Sequence, residues 1–278
     1  MRVLQIDAFT DEPFAGNPAA VCLLDGPAEP DWMQDVAREM NLSETAFLYP
    51  RQQAFALRWF TPAVEVELCG HATLASAHAL WEEGRLDSRE SALFDTLSGR
   101  LAATRRGDGI ELDFPAEYAE ACEPPPGLLE SLGRVTPVAV ARNRFDILVE
   151  VADEDTVRSL QPDFQLMGSV AVRGVMVTAR AGNQLVASGV DFVSRFFAPA
   201  VGVNEDPVTG SAHCCLGPWW ARRLGTDDLL GRQVSDRGGT VGVRVRSDRV
   251  LLAGRAVTVL RGELVGQSAS KAGSNGQR

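Results

Sequence analysis

Arg58-Trp-Phe-Thr-Pro-Ala-Val-Glu-Val66 and Arg195-Phe-Phe-Ala-Pro-Ala-Val-Gly-Val203 align at a constant offset of 137 residues, with six of nine positions identical. In a chain rich in alanine and valine, that match alone would carry little weight. Both copies, however, run into the same next element, a glycine-containing turn that opens a helix of small residues. The offset is also nearly half of the 278 residues. A duplicated α/β unit explains all three facts, and internal repeats are the first thing to look for in a chain of this size.

Working outward, the first copy follows three apolar strand-like segments and a short helix at 31–40, where Trp32, Val36 and Met40 recur at helical spacing. Strands at 43–49 and 54–60 precede the small-residue helix at 70–83. Paired strands then turn at Leu97-Ser-Gly-Arg100 and Arg106-Gly-Asp-Gly109. The stretch 116–127, with Pro124-Pro125-Pro126, reads as the linker. Beyond it come strands at 137–151, 171–179 and 190–197, helices at 153–160 and 210–224, and two strands at 240–246 and 249–260. The expected lobes are 1–118 and 119–265, followed by a small, polar tail at 266–278 expected to be disordered.

Composition excludes several classes. Hydrophobic residues are 45% and charged residues 23%, ordinary globular values. A net charge of −10 would repel a phosphate backbone, so nucleic acid is not the expected partner. No apolar run is long enough for a membrane span, and no leader-like segment opens the chain. Five cysteines, an odd number without scaffold-like spacing, point to a reduced compartment and a cytoplasmic protein.

Carried three residues further, the offset sets Cys69 of Leu68-Cys-Gly-His-Ala-Thr73 on Asp206 of Glu205-Asp-Pro-Val-Thr-Gly-Ser-Ala212. Each stands just before a helix N-terminus, where backbone N–H groups lack intrahelical partners and the dipole end is positive. Such ends bind carboxylates and phosphates. Two of them facing one another would make a site for proton transfer at a carbon next to a carboxylate. Ordinary explanations compete: glycine and serine at a helix start are most often capping, and a lone buried cysteine is usually a small hydrophobe. His213-Cys214-Cys215 lacks a second cluster to complete a zinc set, so no metal is expected. Arg58 and Arg195 are read as ordinary arginines rather than anion ligands.

Val3-Leu-Gln-Ile-Asp-Ala-Phe9, Phe14-Ala-Gly-Asn-Pro-Ala-Ala-Val21, Asn41-Leu-Ser-Glu-Thr-Ala-Phe47, Leu68-Cys-Gly-His-Ala-Thr-Leu-Ala75 and Glu205-Asp-Pro-Val-Thr-Gly-Ser-Ala212 occur in this order. Together they resemble the PhzF-like isomerase family of phenazine biosynthesis, over residues 1 to about 262. The resemblance implies the diaminopimelate-epimerase fold, an α/β (α+β) architecture of two pseudo-symmetric lobes. Each lobe is a curved mixed sheet around a central helix, with the active site between the lobes. It also implies a homodimer that needs no metal and no organic cofactor. By position, the family's acid/base falls on Glu44, its histidine on His71, its aspartate on Asp206 and its serine on Ser211. The backbone around Gly70, Ala72, Gly210 and Ala212 would hold a substrate carboxylate.

One departure stands out. The phenazine enzyme itself lacks a cysteine before its Gly-His, whereas epimerases of the same fold carry one of two catalytic cysteines there; the other would fall at Asp206. Isomerisation of a small carboxylic acid through Glu44 is therefore the leading expectation. The alternatives are a two-base amino-acid epimerase using Cys69 and Asp206, and a non-catalytic small-molecule binder on the same scaffold.

Overall fold

The computed structural model describes residues 1–265, so the tail at 266–278 lies outside the described residues. The first half runs β1 (Arg2–Ala8), β2 (Asn17–Leu23), α1 (Pro30–Met40), β3 (Glu44–Pro50), β4 (Phe55–Phe60), β5 (Glu65–Val66), α2 (Gly70–Glu82), β6 (Ala92–Thr96), β7 (Gly99–Arg106) and β8 (Gly109–Pro115). The second opens with β9 (Glu120–Ala121), α3 (Leu128–Ser131), β10 (Ala139–Arg142), β11 (Asp146–Glu150), α4 (Glu154–Ser159), α5 (Phe164–Gly168) and β12 (Gly174–Arg180). It continues with α6 (Asn183–Val186), β13 (Phe192–Ala198), β14 (Val203–Asp206), α7 (Gly210–Leu224), β15 (Asp228–Gln233), β16 (Gly239–Arg246), β17 (Arg249–Gly254) and β18 (Ala256–Glu263). Among the described residues no helix is long and apolar enough to cross a membrane.

Two equivalent ladders result. One runs β18-β1-β2-β3-β4-β6-β7-β8, the other β9-β10-β11-β12-β13-β15-β16-β17, and antiparallel pairing of β8 with β17 joins them. The repeat extends to register. Phe55 sits opposite Phe94 in the parallel β4–β6 pair, and Phe192 opposite Gly231 in the parallel β13–β15 pair. Both partners are displaced by the same 137 residues.

The lobes exchange their last strands. β9 follows β8 yet pairs with β10, and β18 follows β17 yet pairs with β1. The sequence reading ran 249–260 as one strand and left it in the second lobe; the chain instead breaks at Arg255 and its final strand completes the first lobe's sheet. Arg255 O accepts the N–H groups of Phe9 (2.8 Å) and Thr10 (3.3 Å), which anchors the crossing. Pairing between segments as far apart as Arg2 and Glu263 leaves no local signal, because an edge strand and its partner need only complementary alternation. The short strand β15 was also missed in the reading.

Each sheet curls around its central helix. α2 is buried on nearly every side, from His71 to Trp81 apart from His78, and is accordingly built from alanine, serine and threonine rather than from one apolar stripe. In α7, Pro218 has no N–H to give Cys214, and the freed Cys214 carbonyl accepts from Glu117 N at 3.0 Å. Gly225, at φ 71°, ends that helix.

The structure also revises where the repeat leads. Arg58 holds Glu65 through two bonds of 2.6 and 2.7 Å, and Arg195 holds Glu205 at 2.7 and 2.8 Å. Glu205 lies 140 residues after Glu65, whereas Arg195 lies 137 after Arg58, so the second hairpin is three residues longer. Beyond it the correspondence is Cys69 with Thr209, both helix N-caps, then Gly70 with Gly210 and His71 with Ser211. Asp206 matches Val66, not Cys69. The expected Cys69–Asp206 equivalence fails because a turn insertion is silent in a nine-residue match.

The two arginines brace hairpins rather than bind anions. Arg195 is the more enclosed and also donates to Leu160 O at 2.9 Å. Removing one member of a buried pair typically costs about 3–5 kcal/mol. Arg195→Ala should fall in that range in denaturant unfolding, and Arg58→Ala, whose pair is more exposed, should cost clearly less. Equal losses would show that burial does not set the difference.

Candidate active site

The site forms where the two central helices meet N-terminus to N-terminus. A Cβ built on Gly70 would lie 3.4 Å from Gly210 Cα, and one on Gly210 would lie 3.4 Å from Gly70 Cα. A side chain on either residue would thus touch the other helix's backbone, and glycine on both sides leaves the space between the two ends open.

Glu44 is the first residue of β3, a strand with its edge against β2, and 19% of its side chain reaches solvent. His71 stands in the first turn of α2, with His71 Nε2 3.2 Å from Glu44 Oε2. That approach is too misaligned to be a hydrogen bond, and Glu44 Oε2 is buried with no hydrogen-bond partner. Cys69 Sγ lies 3.5 Å from His71 Nδ1. Oxygen, sulfur and nitrogen atoms of Glu44, Cys69 and His71 all lie within 4.8 Å of one another, close enough for one soft divalent ion to touch all three. The thiol would first have to give up its proton.

Asn17 ties this cluster to the second lobe. It opens β2, fully buried, and its Nδ2 lies 3.1 Å from His71 Nδ1 while donating to Asp206 Oδ1 (2.8 Å) and Val208 O (2.9 Å). Gly16 sets its position. At φ +65° a Cβ there would sit 2.2 Å from Ala8 O, so only glycine makes this turn. Arg237, from the second lobe, holds the same loop through Gly16 O (2.9 Å), Ala15 O (2.8 Å) and buried Asp7 (2.8 Å). Asp206 in turn accepts from Thr209 Oγ1 at 2.5 Å, and its carbonyl accepts from Gln233 Nε2 at 2.6 Å.

Burial governs the ionisation of every group here. It pushes the Glu44 carboxyl up to about 8, with repulsion from Asp206 adding to the effect. It raises Asp206 to about 6, against hydrogen bonds from Thr209 and Asn17 that favour the charged form. It lowers His71 to about 3, leaving a neutral imidazole, and drives the Cys69 thiol well above its ordinary range. The cluster therefore holds two carboxyls that exchange protons near neutrality beside a neutral ring and a protonated thiol.

The structure brings together Glu44, Cys69, His71 and Asp206, and sets Gly70, Ala72, Gly210, Ser211 and Ala212 in the first turns of the two facing helices. His213, by contrast, is spent on Thr209 O at 2.8 Å within its own helix. Asn17, Thr209 and Gln233 were missed as site residues. Asn17 lay inside a quoted motif but reads as a turn residue between glycine and proline. Gln233 sits on the strand that the reading overlooked.

The family model of phenazine biosynthesis-like proteins matches residues 6–262. An uncharacterized isomerase of Halalkalibacterium halodurans is 52% identical, over 94% of this chain and 97% of its own. A crystal structure of a PhzF-family phenazine biosynthesis protein from Enterococcus faecalis superposes with TM-score 0.89 at 40% identity, covering 95% of this chain and 98% of that one. A hydroxyproline epimerase from Agrobacterium vitis shares the fold, with TM-score 0.58 at 14% identity, over 94% of this chain and 91% of that one.

The raised Glu44 pKa has a thermodynamic consequence. Unfolded, Glu44 loses its proton near the ordinary glutamate value of 4.5; folded, it keeps it until about 8. Between those values the native state holds a proton the unfolded chain lacks, so the stability Glu44 contributes is full below 4.5 and is lost as pH rises to about 8. Glu44→Gln cannot ionise. Its stability relative to the parent should therefore rise across that window and stay level outside it, as read by denaturant unfolding at a series of pH values. A pH-independent difference would show that Glu44 titrates normally.

Proposed function

The chain belongs to the phenazine biosynthesis-like family and is an isomerase, and we propose that it moves a proton between two carbons of a small carboxylic acid. The observation that carries this reading is the unpartnered Glu44 Oε2, enclosed beside His71 at the junction of the lobes. A carboxyl titrating near 8 is close to the ideal for a group that must both take and return a proton at neutral pH.

In the proposed cycle, the Glu44 carboxylate removes a proton from a carbon adjoining a conjugated carboxylate. The C–H electron pair passes into the conjugated system, which gains enolate character. The protonated Glu44 then delivers its proton to another carbon of that system, so no electrons are lost or gained. The protonated Cys69 thiol and the Asn17 amide both lie against His71 Nδ1, which favours that nitrogen as the acceptor and leaves the ring proton on Nε2, facing Glu44. There the neutral ring stands 3.2 Å from the carboxyl and brings no competing positive charge to it. Asp206 is a second station, coupled to His71 through Asn17. The N–H groups opening α2 and α7, with Ser211, would stabilise the substrate carboxylate as charge builds on it. Every proton station is a side chain of this chain, so the cycle needs no metal and no organic cofactor.

A second reading, epimerisation between Cys69 and Asp206, has one observation in its favour: the thiol touches the same cluster. Against it, Cys69 is held firmly protonated, and Thr209 rather than Asp206 occupies its symmetry-related place.

A screen of small amino and hydroxy acids for carbon-bound deuterium uptake in heavy water tests both readings. Glu44→Gln should keep the fold and lose at least about 10²-fold in exchange, the lower bound for a general acid–base group. Cys69→Ala should retain exchange within about tenfold. Exchange that survives Glu44→Gln and vanishes in Cys69→Ala would replace the isomerase mechanism with the epimerase one.

A further inference from the structure

The internal two-fold can be followed through the site, and it is broken there in a telling way. Thr45 pairs with Phe60, and Val175 with Phe197, the repeat-related phenylalanine. Gly174 therefore occupies the place of Glu44, and Arg173 that of Ser43. In the facing helices His71 corresponds to Ser211. The first lobe sets a carboxyl against an imidazole, Glu44 to His71 at 3.2 Å. The second sets a guanidinium against a hydroxyl, Arg173 Nη2 to Ser211 Oγ at 3.5 Å.

No acid could stand in the second lobe's equivalent place. A Cβ on Gly174 would fall 2.3 Å from the Phe196 ring and 3.1 Å from Asp146 Oδ1. Arg173 is instead held rigidly. Asp146, 1% exposed, grips its Nε and Nη2 at 2.8 and 2.5 Å, and the Phe145 ring lies 4.9 Å from its Cζ. This grip occupies one edge of the guanidinium. The Nη1 end carries no hydrogen bond among the described residues, and 40% of the side chain is open to solvent. A cation whose buried counter-ion is fixed on one edge, with the other edge free beside a hydroxyl and a helix N-terminus, is arranged to take a monoanion.

We propose that Arg173 is a substrate-binding residue: with Ser211 it anchors the carboxylate of the organic acid on the second lobe, while Glu44 works on the carbon skeleton from the first. The duplicated site has thus divided its labour, one half carrying protons and the other holding charge. This inference rests on the proton-transfer reading for Glu44, but it can be tested without turnover.

Binding of sodium benzoate and sodium malonate, with benzamide and malonamide as uncharged controls, can be followed by NMR titration of the whole protein. Arg173→Gln alone would strand the buried Asp146 charge, so the informative variant is Asp146→Asn combined with Arg173→Gln, checked for native circular dichroism and cooperative melting. The parent should bind carboxylates and not amides. The paired variant should bind the carboxylates at least tenfold more weakly, Arg173→Lys should fall between, and Glu44→Gln should bind like the parent. In deuterium exchange the paired variant should raise KM by at least tenfold and change kcat by less than threefold. Carboxylate affinity unchanged in a folded paired variant, or no preference for carboxylate over amide in the parent, would overturn the assignment. Normal anchoring without exchange in any protein would leave it standing and refute the proton-transfer cycle instead.

Discussion

Two helices meeting head to head, glycine against glycine, are the constraint on which the rest of this molecule depends. The N-terminus of a helix carries roughly half a positive charge together with N–H groups that have no partner in their own helix. Bringing two such ends within van der Waals reach, at Gly70 and Gly210, concentrates positive potential in a small enclosed volume. Unless something negative enters, that arrangement is electrostatically unfavourable. The two sheets, the strand exchange between them and the Arg237 clamp on the Asn17 loop hold the helices there nonetheless.

The obvious relief would be for Glu44 and Asp206 to ionise. Burial works against it and wins at Glu44, which holds its proton to about 8, whereas Asp206, raised only to about 6, still ionises at neutral pH. At neutral pH, Glu44 is therefore mostly uncharged and the helix ends are incompletely neutralised. Such a site is left wanting an anion, and it keeps its principal proton carrier near its own midpoint. The same desolvation that makes Glu44 a serviceable acid and base thus leaves the field available to a carboxylate ligand. His71 contributes by staying neutral, since a charged ring at that spot would pull the Glu44 proton off.

Asn17 shows how small the link between the two halves of the site is. One amide nitrogen meets the imidazole of one lobe and the carboxylate and a carbonyl of the other. Duplication supplied two similar frames, and divergence acted on the few side chains at their junction. Around it, the bracing arginine–glutamate pairs are the same in both copies, while Gly174 stands in the place of Glu44 and Ser211 in the place of His71. Positions that only support a fold tolerate being identical, whereas positions in one asymmetric site have to differ.

The sequence by itself determined the two-lobed α/β plan, because strand alternation and small-residue helices are patterns local to a few residues, and the Arg58/Arg195 repeat is a match between two such short stretches. The repeat also brought forward Cys69 and Asp206, and the motifs that resemble a known family brought forward Glu44 and His71. Only the tertiary structure decided what lay between those motifs. β18 joins the first lobe because strand pairing is a contact between distant segments. Thr209 rather than Asp206 stands opposite Cys69, because three extra hairpin residues shift the frame without marring the local match. Asn17 reveals itself as the bridge, and Glu44 as an unusual carboxyl, for the same reason: hydrogen bonds and desolvation belong to the surroundings of a side chain, and those surroundings are assembled from parts of the chain that no local reading brings together.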